Sequence, residues 1–410
     1  MSQEPATLRE AGEPNQDLEL ADFDVAIVGA GLAGGSLALR LARRGVRVVL
    51  LESHRFPRQK LCGEYLSPEG VELLENLGLG PALETLKGHT MRRLRLTTPR
   101  GSLLEATVAG PDGRHALGLS RALLDQLILD TAIGAGVELC CPARVSGPLI
   151  EEGRVVGVSA RTDSGRVEFR AKAVVAANGR HSSLVKETGK VRIRSRGRPG
   201  HFGLKCHLAP DANGGEPPET VGLHLVRGGY VGTCQIQGGL NNLCGLLKES
   251  DLKQDRGDLM RLSDRVFAGN ATLAKLWEAR QEASPWKTVA AVHVQVSTPN
   301  VPGIFYVGDS QGTVDPLGGQ GMTMALLGAE LLEPYLLKAL TPSLADTSLQ
   351  PQYQRAWHHR FDQRIQLCRA FHQALVHPGV LDAVAPFKNT TARLMTKLYQ
   401  LTRDHHNGPV

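Results

Sequence analysis

The stretch "VGAGLAGG", Val28–Gly35, decides the fold, and apolar segments flank it on both sides. Before it, Val25 to Val28 predicts a short buried β-strand. After it, Ser36 to Arg43 has the small and apolar spacing of a helix packed on a sheet, and Val48 to Leu51 predicts a second buried strand. This order of strand, glycine-rich turn, helix and strand predicts the start of a parallel α/β sheet.

The glycines of the turn follow the pattern G-x-G-x-x-G, and each position has its own physical requirement. Gly29 allows the tight turn, Gly31 lets a pyrophosphate approach the backbone, and Gly34 permits close packing of the helix on the strand. A diphosphate would then lie at the positive end of the helix. The turn residues expected to contact it are Gly29, Ala30, Gly31, Leu32, Ala33 and Gly34.

An acidic residue completes this motif. Glu52 ends the second strand, roughly twenty residues after the turn, where a carboxylate accepts hydrogen bonds from the ribose hydroxyls of adenosine. With strand, helix and acid in register, the pattern predicts a dinucleotide site. It does not by itself separate FAD from NAD.

A second glycine cluster, "GDSQGTVDPLGGQGM" at Gly308–Met322, lies late in the chain. It follows the apolar strand "GIFYVGD" and leads into the apolar helix "TMALLGAELLEPYLLKAL". A nicotinamide domain needs no second glycine-rich loop with an aspartate, whereas FAD is long and must also be held at its far end. The two clusters together therefore favour FAD.

Within the late cluster, Asp309 is placed to meet the ribityl hydroxyls of the flavin. The glycines and the helix N-terminus are expected at the pyrimidine edge, where negative charge collects when the flavin is reduced. Asp315 before Pro316 is expected to cap the turn, with a position facing the substrate as the alternative. The cofactor-binding residues expected here are Gly308, Asp309, Gly318, Gly319, Gly321 and Met322.

Three further stretches carry a resemblance: "FPRQKLCGEYLSPEG", "LSRALLDQLILDTAIGAGVEL" and "VVAANGRHSSLV". With the two glycine clusters, they make the chain similar to the FAD-dependent oxidoreductase superfamily that contains aromatic hydroxylases, geranylgeranyl reductases and flavin-dependent halogenases. The resemblance implies an α/β fold. Its parts would be a Rossmann-like FAD-binding domain, an inserted antiparallel β-sheet substrate domain and a C-terminal helical region.

The resemblance also implies roles for single residues. Arg121 in "SRALLD" would lie near the FAD diphosphate, with an arginine on the helix surface as the alternative. Val145 would contact adenine through its backbone. Asn178–Gly179 stands where the hydroxylases of the superfamily usually have Asp-Gly, so the role of that aspartate is not carried over, and Asn178 is expected to shape a turn.

The resemblance places the domain boundaries. The FAD-binding domain is expected to be discontinuous, at residues 21–89, 110–190 and 297–342. Residues 91–109 and 191–296 alternate in β fashion, which predicts a separate sheet that roofs the flavin. In that sheet, Gly-Gly and Asn-Asn pairs are expected to form turns, and "DLKQDRGDLMRLSDRVF" is expected to be a helical insertion.

The two ends of the chain are expected to differ in structure from the domains between them. Residues 1–20 are polar and acidic and are expected to be a disordered tail. Residues 343–410 are expected to form C-terminal helices, with their histidines on solvated faces and no metal site.

Composition and charge limit the partners and the cellular location that can be expected of the chain. The chain has 410 residues and a formal charge of +6 that is spread along it, so no nucleic-acid partner is expected. No apolar run reaches the roughly 18 residues of a membrane span, and no signal peptide is visible. Seven cysteines without metal-ligand spacing fit reduced thiols in the cytoplasm. The oligomeric state stays open.

Three flavin reactions fit such a scaffold. The favoured hypothesis is a single-component monooxygenase that uses NAD(P)H and hydroxylates an apolar or aromatic small molecule, as in secondary metabolism. Oxygen activation needs mainly a dry pocket and a stabilised flavin adduct. A halogenase is disfavoured because Trp277, Trp286 and Trp357 stand alone, and Lys87 as its relay lysine is better explained as an exposed lysine before a turn.

The alternative is a reductase of carbon–carbon double bonds, similar to geranylgeranyl reductases. It gains from "KLCGEYLSP", which makes Cys62 a candidate for the active-site face, and from Tyr230 in "RGGYVGTCQIQGG". The aromatic motif of those reductases is otherwise missing from this stretch. An FAD-binding structural or redox-sensing module is the non-enzymatic alternative.

Overall fold

A computed structural model describes residues 23–110, 112–193, 200–209, 217–280, 283–290, 292–341, 348–376, 396–397 and 399. The expected disordered tail at residues 1–20 lies outside these ranges. The same holds for most of the expected helical stretch after residue 376.

The described residues form strands that are numbered here in chain order. They are β1 (Phe23–Val28), β2 (Val48–Leu51), β3 (Tyr65–Leu66), β4 (His89–Met91), β5 (Arg93–Thr97), β6 (Leu103–Thr107), β7 (Ala116–Gly118), β8 (Glu138–Cys140), β9 (Arg144–Glu151), β10 (Arg154–Thr162), β11 (Gly165–Ala176), β12 (Gly189–Ile193), β13 (His201–Leu208), β14 (Thr220–Val226), β15 (Gly229–Gln235), β16 (Asn241–Lys248), β17 (Lys287–Val289), β18 (Gln295–Pro299) and β19 (Ile304–Tyr306).

The helices are numbered in the same way. They are α1 (Leu32–Ala42), α2 (Pro68–Asn76), α3 (Gly80–Thr85), α4 (Arg121–Gly134), α5 (Ser183–Thr188), α6 (Glu249–Gln254), α7 (Leu259–Phe267), α8 (Ala271–Glu278), α9 (Gly321–Ala339) and α10 (Leu349–Val376).

The first sheet has the order β8-β2-β1-β11-β10-β9, and β19 also pairs with β11. Its β8, β2, β1, β11 and β19 run parallel, and β10 and β9 extend it antiparallel. Residues 25–28 of β1, all of β2 and residues 173–176 of β11 are apolar and buried, because helices cover one face of the sheet and a second apolar cluster covers the other. Parallel strands place the glycine turn after β1 and the loop after β19 at the same edge of the sheet.

The second sheet has the order β17-β13-β16-β15-β14-β5-β6. Its strands pair antiparallel except for β5 and β14, which run parallel and join the 91–109 segment to the rest of the sheet. The helices α7 and α8 cover one face of this sheet through a buried cluster that includes Leu262, Phe267 and Trp277. The other face is directed at the first sheet and α10, through Leu225, Tyr230 and Leu375.

The fold class expected from the sequence is confirmed. The molecule is α/β, with a Rossmann-like parallel sheet, antiparallel β-structure and a C-terminal helical region. The strands over 25–28 and 48–51, the helix between them and the helical insertion after residue 248 are present.

One turn prediction is wrong. Gly228 and the pair Gly238–Gly239 do form turns, and their positive φ angles of 85°, 71° and 75° explain why glycine is needed. The pair Asn241–Asn242 instead begins strand β16. Both asparagines are buried, and the Asn242 side chain donates a hydrogen bond to the carbonyl of Cys62 at 3.1 Å. Asn242 therefore ties the second sheet to the segment before β3.

The contact of α1 with the end of β1 gives a first prediction. A Cβ at Gly34 would overlap the carbonyl oxygen of Gly29 and lie 3.1 Å from the Ala177 side chain. We expect Gly34→Ala to lower the free energy of unfolding by about 1–3 kcal/mol, as overpacking does. Urea denaturation of the purified protein measures this change.

The matched control is Gly134→Ala, in which the same methyl group is added at the last residue of α4. A Cβ there would meet nothing within 4 Å. Its stability should stay within about 1 kcal/mol of wild type. Equal urea midpoints for Gly34→Ala and wild type would show that this contact is not tight.

Candidate active site

A cavity of about 540 Å³ lies between the two sheets and α10. Its wall combines the turn after β1, the segment before β3, the loops after β11 and β19, the inner face of the second sheet, and α10. Both glycine clusters therefore reach one cavity, although about 280 residues separate them in the sequence. The expected site residues that line it are Gly31, Leu32, Ala33, Cys62, Arg121, Tyr230, Gly308, Asp309, Gly318, Gly319, Gly321 and Met322.

Three cationic side chains meet at the first glycine turn. A Cβ at Gly31 would lie 3.0 Å from Nζ of Lys60, 3.9 Å from Nη2 of Arg58 and 4.0 Å from Nη2 of Arg121. Arg121 is buried, so it is not a helix-surface arginine. Burial, together with the charges of Arg58 and Arg121, lowers the pKa of Lys60 to about 8. A bare turn at a helix N-terminus, faced by three cations, suits a diphosphate.

Two carboxylates hold these cations in place. Oε2 of Glu52 accepts from Nη2 of Arg58 at 3.0 Å and from the amide of Ala30 at 3.0 Å. Asp125 binds Nε of Arg121 at 2.8 Å and lies 3.5 Å from Nη1 of Arg58. Burial alone would raise the pKa of Glu52, but the charge of Arg58 and the Ala30 amide hold it below its usual value. Glu52 is therefore ionised, and its hydrogen bonds to the Ala30 amide and to Arg58 stabilise the turn.

The second glycine cluster offers backbone to the cavity beside the first one, with Gly308 next to Ala33. Gly308 and Gly319 both have a φ of 61°, which favours glycine. The helix α9 begins at Gly321 without a side-chain cap on its first amides. Uncapped amides at a helix N-terminus stabilise a nearby negative charge. This arrangement fits a reduced flavin ring, and the residues present fit FAD at both ends of the cavity.

Asp315 caps the turn before α9, as expected. Its Oδ1 accepts from the amide of Leu317 at 3.2 Å and also meets Nδ1 of His372 at 2.5 Å. The expectation that the C-terminal histidines lie on solvated helix faces is wrong for His372, which is 3% exposed. It lies on the face of α10 that packs against this turn, because the apolar residues around it cover the cavity.

Glu64 is a buried carboxylate that the sequence motifs did not single out. Lys205 Nζ lies 2.7 Å from its Oε1 and His207 Nε2 lies 2.6 Å from its Oε2, while the Arg121 amide donates to Oε1 at 2.9 Å. Burial alone would raise the pKa of Glu64, but the His207 hydrogen bond and the Lys205 charge hold it below its usual value. This ionic cluster joins β13 of the second sheet to the segment that carries Cys62.

Cys62 lies on the cavity wall between these two regions. Its Sγ accepts from the amide of Glu64 at 3.4 Å. Tyr230 in β15 faces the same cavity from the second sheet and is 5% exposed. The two residues expected at the active-site face therefore reach one cavity from different parts of the fold, Cys62 from the segment before β3 and Tyr230 from β15.

Other expected residues lie elsewhere. Val145 pairs with Ala160 between β9 and β10 and does not line the cavity. Asn178 is exposed in the turn after β11, where Gly179 has a φ of 85° and its amide donates to Oγ of Ser310 at 3.0 Å. Lys87 is exposed, as expected, and lies outside the cavity wall. Gly29 and Ala30 lie in the turn and Gly34 lies at the start of α1; all three are buried and do not line the cavity.

The sequence reasoning missed several residues of this site. Lys60 and Arg58 lie in "FPRQK", directly before the Cys-Gly pair, and that basic pair was the available signal. Glu64 has a φ of 54°, which a sequence does not reveal. Lys205 and His207 alternate on one strand, and only the fold shows that both reach the same carboxylate.

Residues 22–366 match the family model described as "FAD binding domain". The chain belongs to this FAD-binding family. It is an FAD-dependent oxidoreductase, and its relatives and structural neighbours include reductases and halogenases. In the described part of the chain, no helix is long and apolar enough to cross a membrane.

Two curated relatives and one solved structure illustrate the likeness. Digeranylgeranylglycerophospholipid reductase 1 of Methanopyrus kandleri is 27% identical over 366 residues, which cover 85% of this chain and 89% of that protein. Menaquinone reductase of Mycolicibacterium smegmatis is 27% identical over 390 residues, covering 91% and 89%. A triple mutant of the flavin-dependent brominase Bmp2 has a TM-score of 0.76 at 17% identity, covering 94% of this chain and 96% of that one. That likeness shows the fold alone.

The hydrogen bonds of Glu52 give a second prediction. Glu52→Ala removes the acceptor of the Ala30 amide and of Arg58, and we expect FAD affinity to fall by about 1–3 kcal/mol. Quenching of FAD fluorescence on titration with apoprotein measures the affinity. Glu168→Ala, at an exposed carboxylate of β11, is the control and should bind FAD as wild type does. Equal affinities for both variants would remove Glu52 from the site.

The Glu64 cluster gives a third prediction, on pH. Because the folded-state pKa lies below the ordinary value of 4.5, the stabilisation by Glu64 is present above about pH 4.5 and is lost as the pH falls through the folded-state pKa. We expect Glu64→Gln to be less stable than wild type by about 3–5 kcal/mol at neutral pH, with the gap closing in acid. Urea unfolding across this pH range measures the gap.

The exposed carboxylate variant Glu138→Gln is the control and should show no such pH-dependent gap. In Glu64→Gln with Lys205→Met, the buried ammonium is removed as well, so part of the lost stability should return. A gap that does not change with pH would contradict an ionised Glu64.

Proposed function

We propose that this oxidoreductase reduces carbon–carbon double bonds in an apolar, lipid-like molecule. The observation that carries the proposal is the apolar wall of the cavity, formed by the second sheet and α10. The second sheet supplies Leu94, Val221, Leu223 and Leu246, and α10 supplies Phe371 and Ala374. Such a wall binds a hydrocarbon chain and excludes water.

The names of the two relatives support the same reaction. Both are reductases, one of a digeranylgeranylglycerophospholipid and one of menaquinone. Hydroxylation, which the sequence favours, would use the same cavity, but neither relative is named for it. We therefore place double-bond reduction first. NAD(P)H is the proposed source of electrons.

In this proposal, different residues around the cavity hold different parts of the cofactor. Bound FAD, when reduced, supplies hydride. Lys60, Arg58 and Arg121 would neutralise its diphosphate, and Glu52 and Asp309 would meet its ribose and ribityl hydroxyls. The backbone around Gly319 and the N-terminus of α9 would hold the ring edge.

The remaining roles follow from the domain boundaries. The discontinuous first domain would hold the cofactor, and the inserted sheet would orient the double bond against it. Cys62 and Tyr230 are the proposed catalytic side chains, since each reaches the cavity from one of these parts. Val145 is proposed to contact adenine only through its backbone.

The fourth prediction separates reduction from hydroxylation. Chemically reduced enzyme, mixed with geranylgeraniol without oxygen, should form a product heavier by two hydrogen atoms, because hydride and a proton both come from within the site. Mass spectrometry measures the product. Product that awaits oxygen and gains one oxygen atom would contradict the proposal and identify a hydroxylase.

A variant pair refines the same assay. Cys62→Ala should slow product formation, because it opens the wall beside the cofactor. Cys140→Ala is the matched control, since Cys140 lies at the end of β8, away from the cavity wall. Equal rates for Cys62→Ala and wild type would make Cys62 a packing residue.

A further inference from the structure

Three buried residues from three different elements meet beside the cavity. His372 of α10 lies with Nδ1 2.5 Å from Oδ1 of Asp315, and both residues are at most 3% exposed. The ring of Tyr230, from β15, packs edge-on against the His372 ring, with centroids 5.8 Å apart and planes at 85°. Tyr230 lines the cavity. His372 and Asp315 do not, but their chain neighbours Phe371 and Pro316 do.

The hydrogen bond fixes the proton on the imidazole. Oδ1 of Asp315 already accepts from the Leu317 amide at 3.2 Å. An ionised carboxylate accepts only, so Nδ1 of His372 carries a hydrogen and donates it. A buried carboxylate that orients an imidazole in this way sets its tautomer and stabilises the charged ring.

Double-bond reduction needs such a group. Hydride adds to one carbon of the double bond, and the other carbon must receive a proton. The wall around the proposed substrate is largely apolar, so a side chain in that wall is better placed than bulk water to supply it. Burial raises the pKa of the Cys244 thiol to about 12 and also raises that of Cys234, so these cavity thiols are poor donors. Tyr230 brings a phenol to the same wall, and its ring is packed against the ring of His372.

We propose that Tyr230 is the acid of the reaction and that His372 and Asp315 are its positioning residues. The inference rests on the proposed function. Reduced FAD, when bound, would supply the hydride for one C–H bond, and the Tyr230 O–H bond breaks as the other C–H bond forms. The Tyr230 phenolate takes up a proton from water after the product leaves the cavity, so two electrons and two hydrogens enter the double bond in each turnover.

The decisive experiment follows the oxidation of chemically reduced enzyme by geranylgeraniol without oxygen. With wild-type enzyme, the reaction should proceed and should slow in deuterated water. With Tyr230→Phe it should fall at least about 100-fold, the usual contribution of general acid catalysis. Tyr335→Phe removes a phenol hydroxyl from α9, outside the cavity wall, and should react as wild type does.

His372→Asn tests the positioning role. An asparagine can still donate to Asp315 but offers no ring for Tyr230 to pack against, so the rate should fall between those of wild type and Tyr230→Phe. A wild-type rate in this variant would show that His372 does not position Tyr230. Nitrogen NMR of histidine-labelled protein, in the absence of FAD, gives an independent readout. It should show a protonated Nδ1 for His372 that Asp315→Asn disturbs.

The outcomes are distinguishable. If wild-type enzyme does not react with geranylgeraniol, the proposed function fails and the inference fails with it. If wild type reacts and Tyr230→Phe keeps both its rate and its solvent isotope effect, the proposed function stands and Tyr230 is not the acid. An unprotonated Nδ1 on His372 would overturn the positioning roles even where Tyr230→Phe is slow.

Discussion

The close approach of α1 to the end of β1 is the constraint on which the site depends. It is possible only because Gly34 has no side chain where it meets the Gly29 carbonyl. That contact directs the first amides of α1 into the cavity at Gly31. The parallel pairing of β11 with both β1 and β19 then brings the loop with Asp309 and Gly319 to the same edge. Two glycine-rich turns far apart in sequence thus line one cavity.

Charge is arranged around this constraint in two buried groups. Arg58, Lys60 and Arg121 gather at the first turn, where Glu52 and Asp125 compensate part of their charge. Glu64, four residues after Lys60, forms ion pairs with two side chains of the second sheet. The segment from residue 58 to residue 64 therefore contacts both the first glycine turn and the second sheet, and Cys62 lies within it.

Much of the fold was predictable because its signals are local. The G-x-G-x-x-G turn, Glu52 and the late glycine cluster have spacings that follow from backbone geometry, and the cap at Asp315 follows from its place before proline. The ion pairs of Glu64 and the burial of His372 were not predictable, since their partners come from distant elements. The assignment of Asn241–Asn242 to a turn was wrong because the preceding Gly238–Gly239 already supplies it.

The central claim is that one FAD spans both glycine clusters with its ring facing the apolar wall. A crystal structure of the FAD-loaded protein with geranylgeraniol tests it most directly. We expect the diphosphate over Gly31 beside Lys60 and Arg121, the ring edge at Gly319, and a double bond of the alcohol between the ring and Tyr230. A ring turned away from Tyr230, or an alcohol bound outside this cavity, would contradict the account.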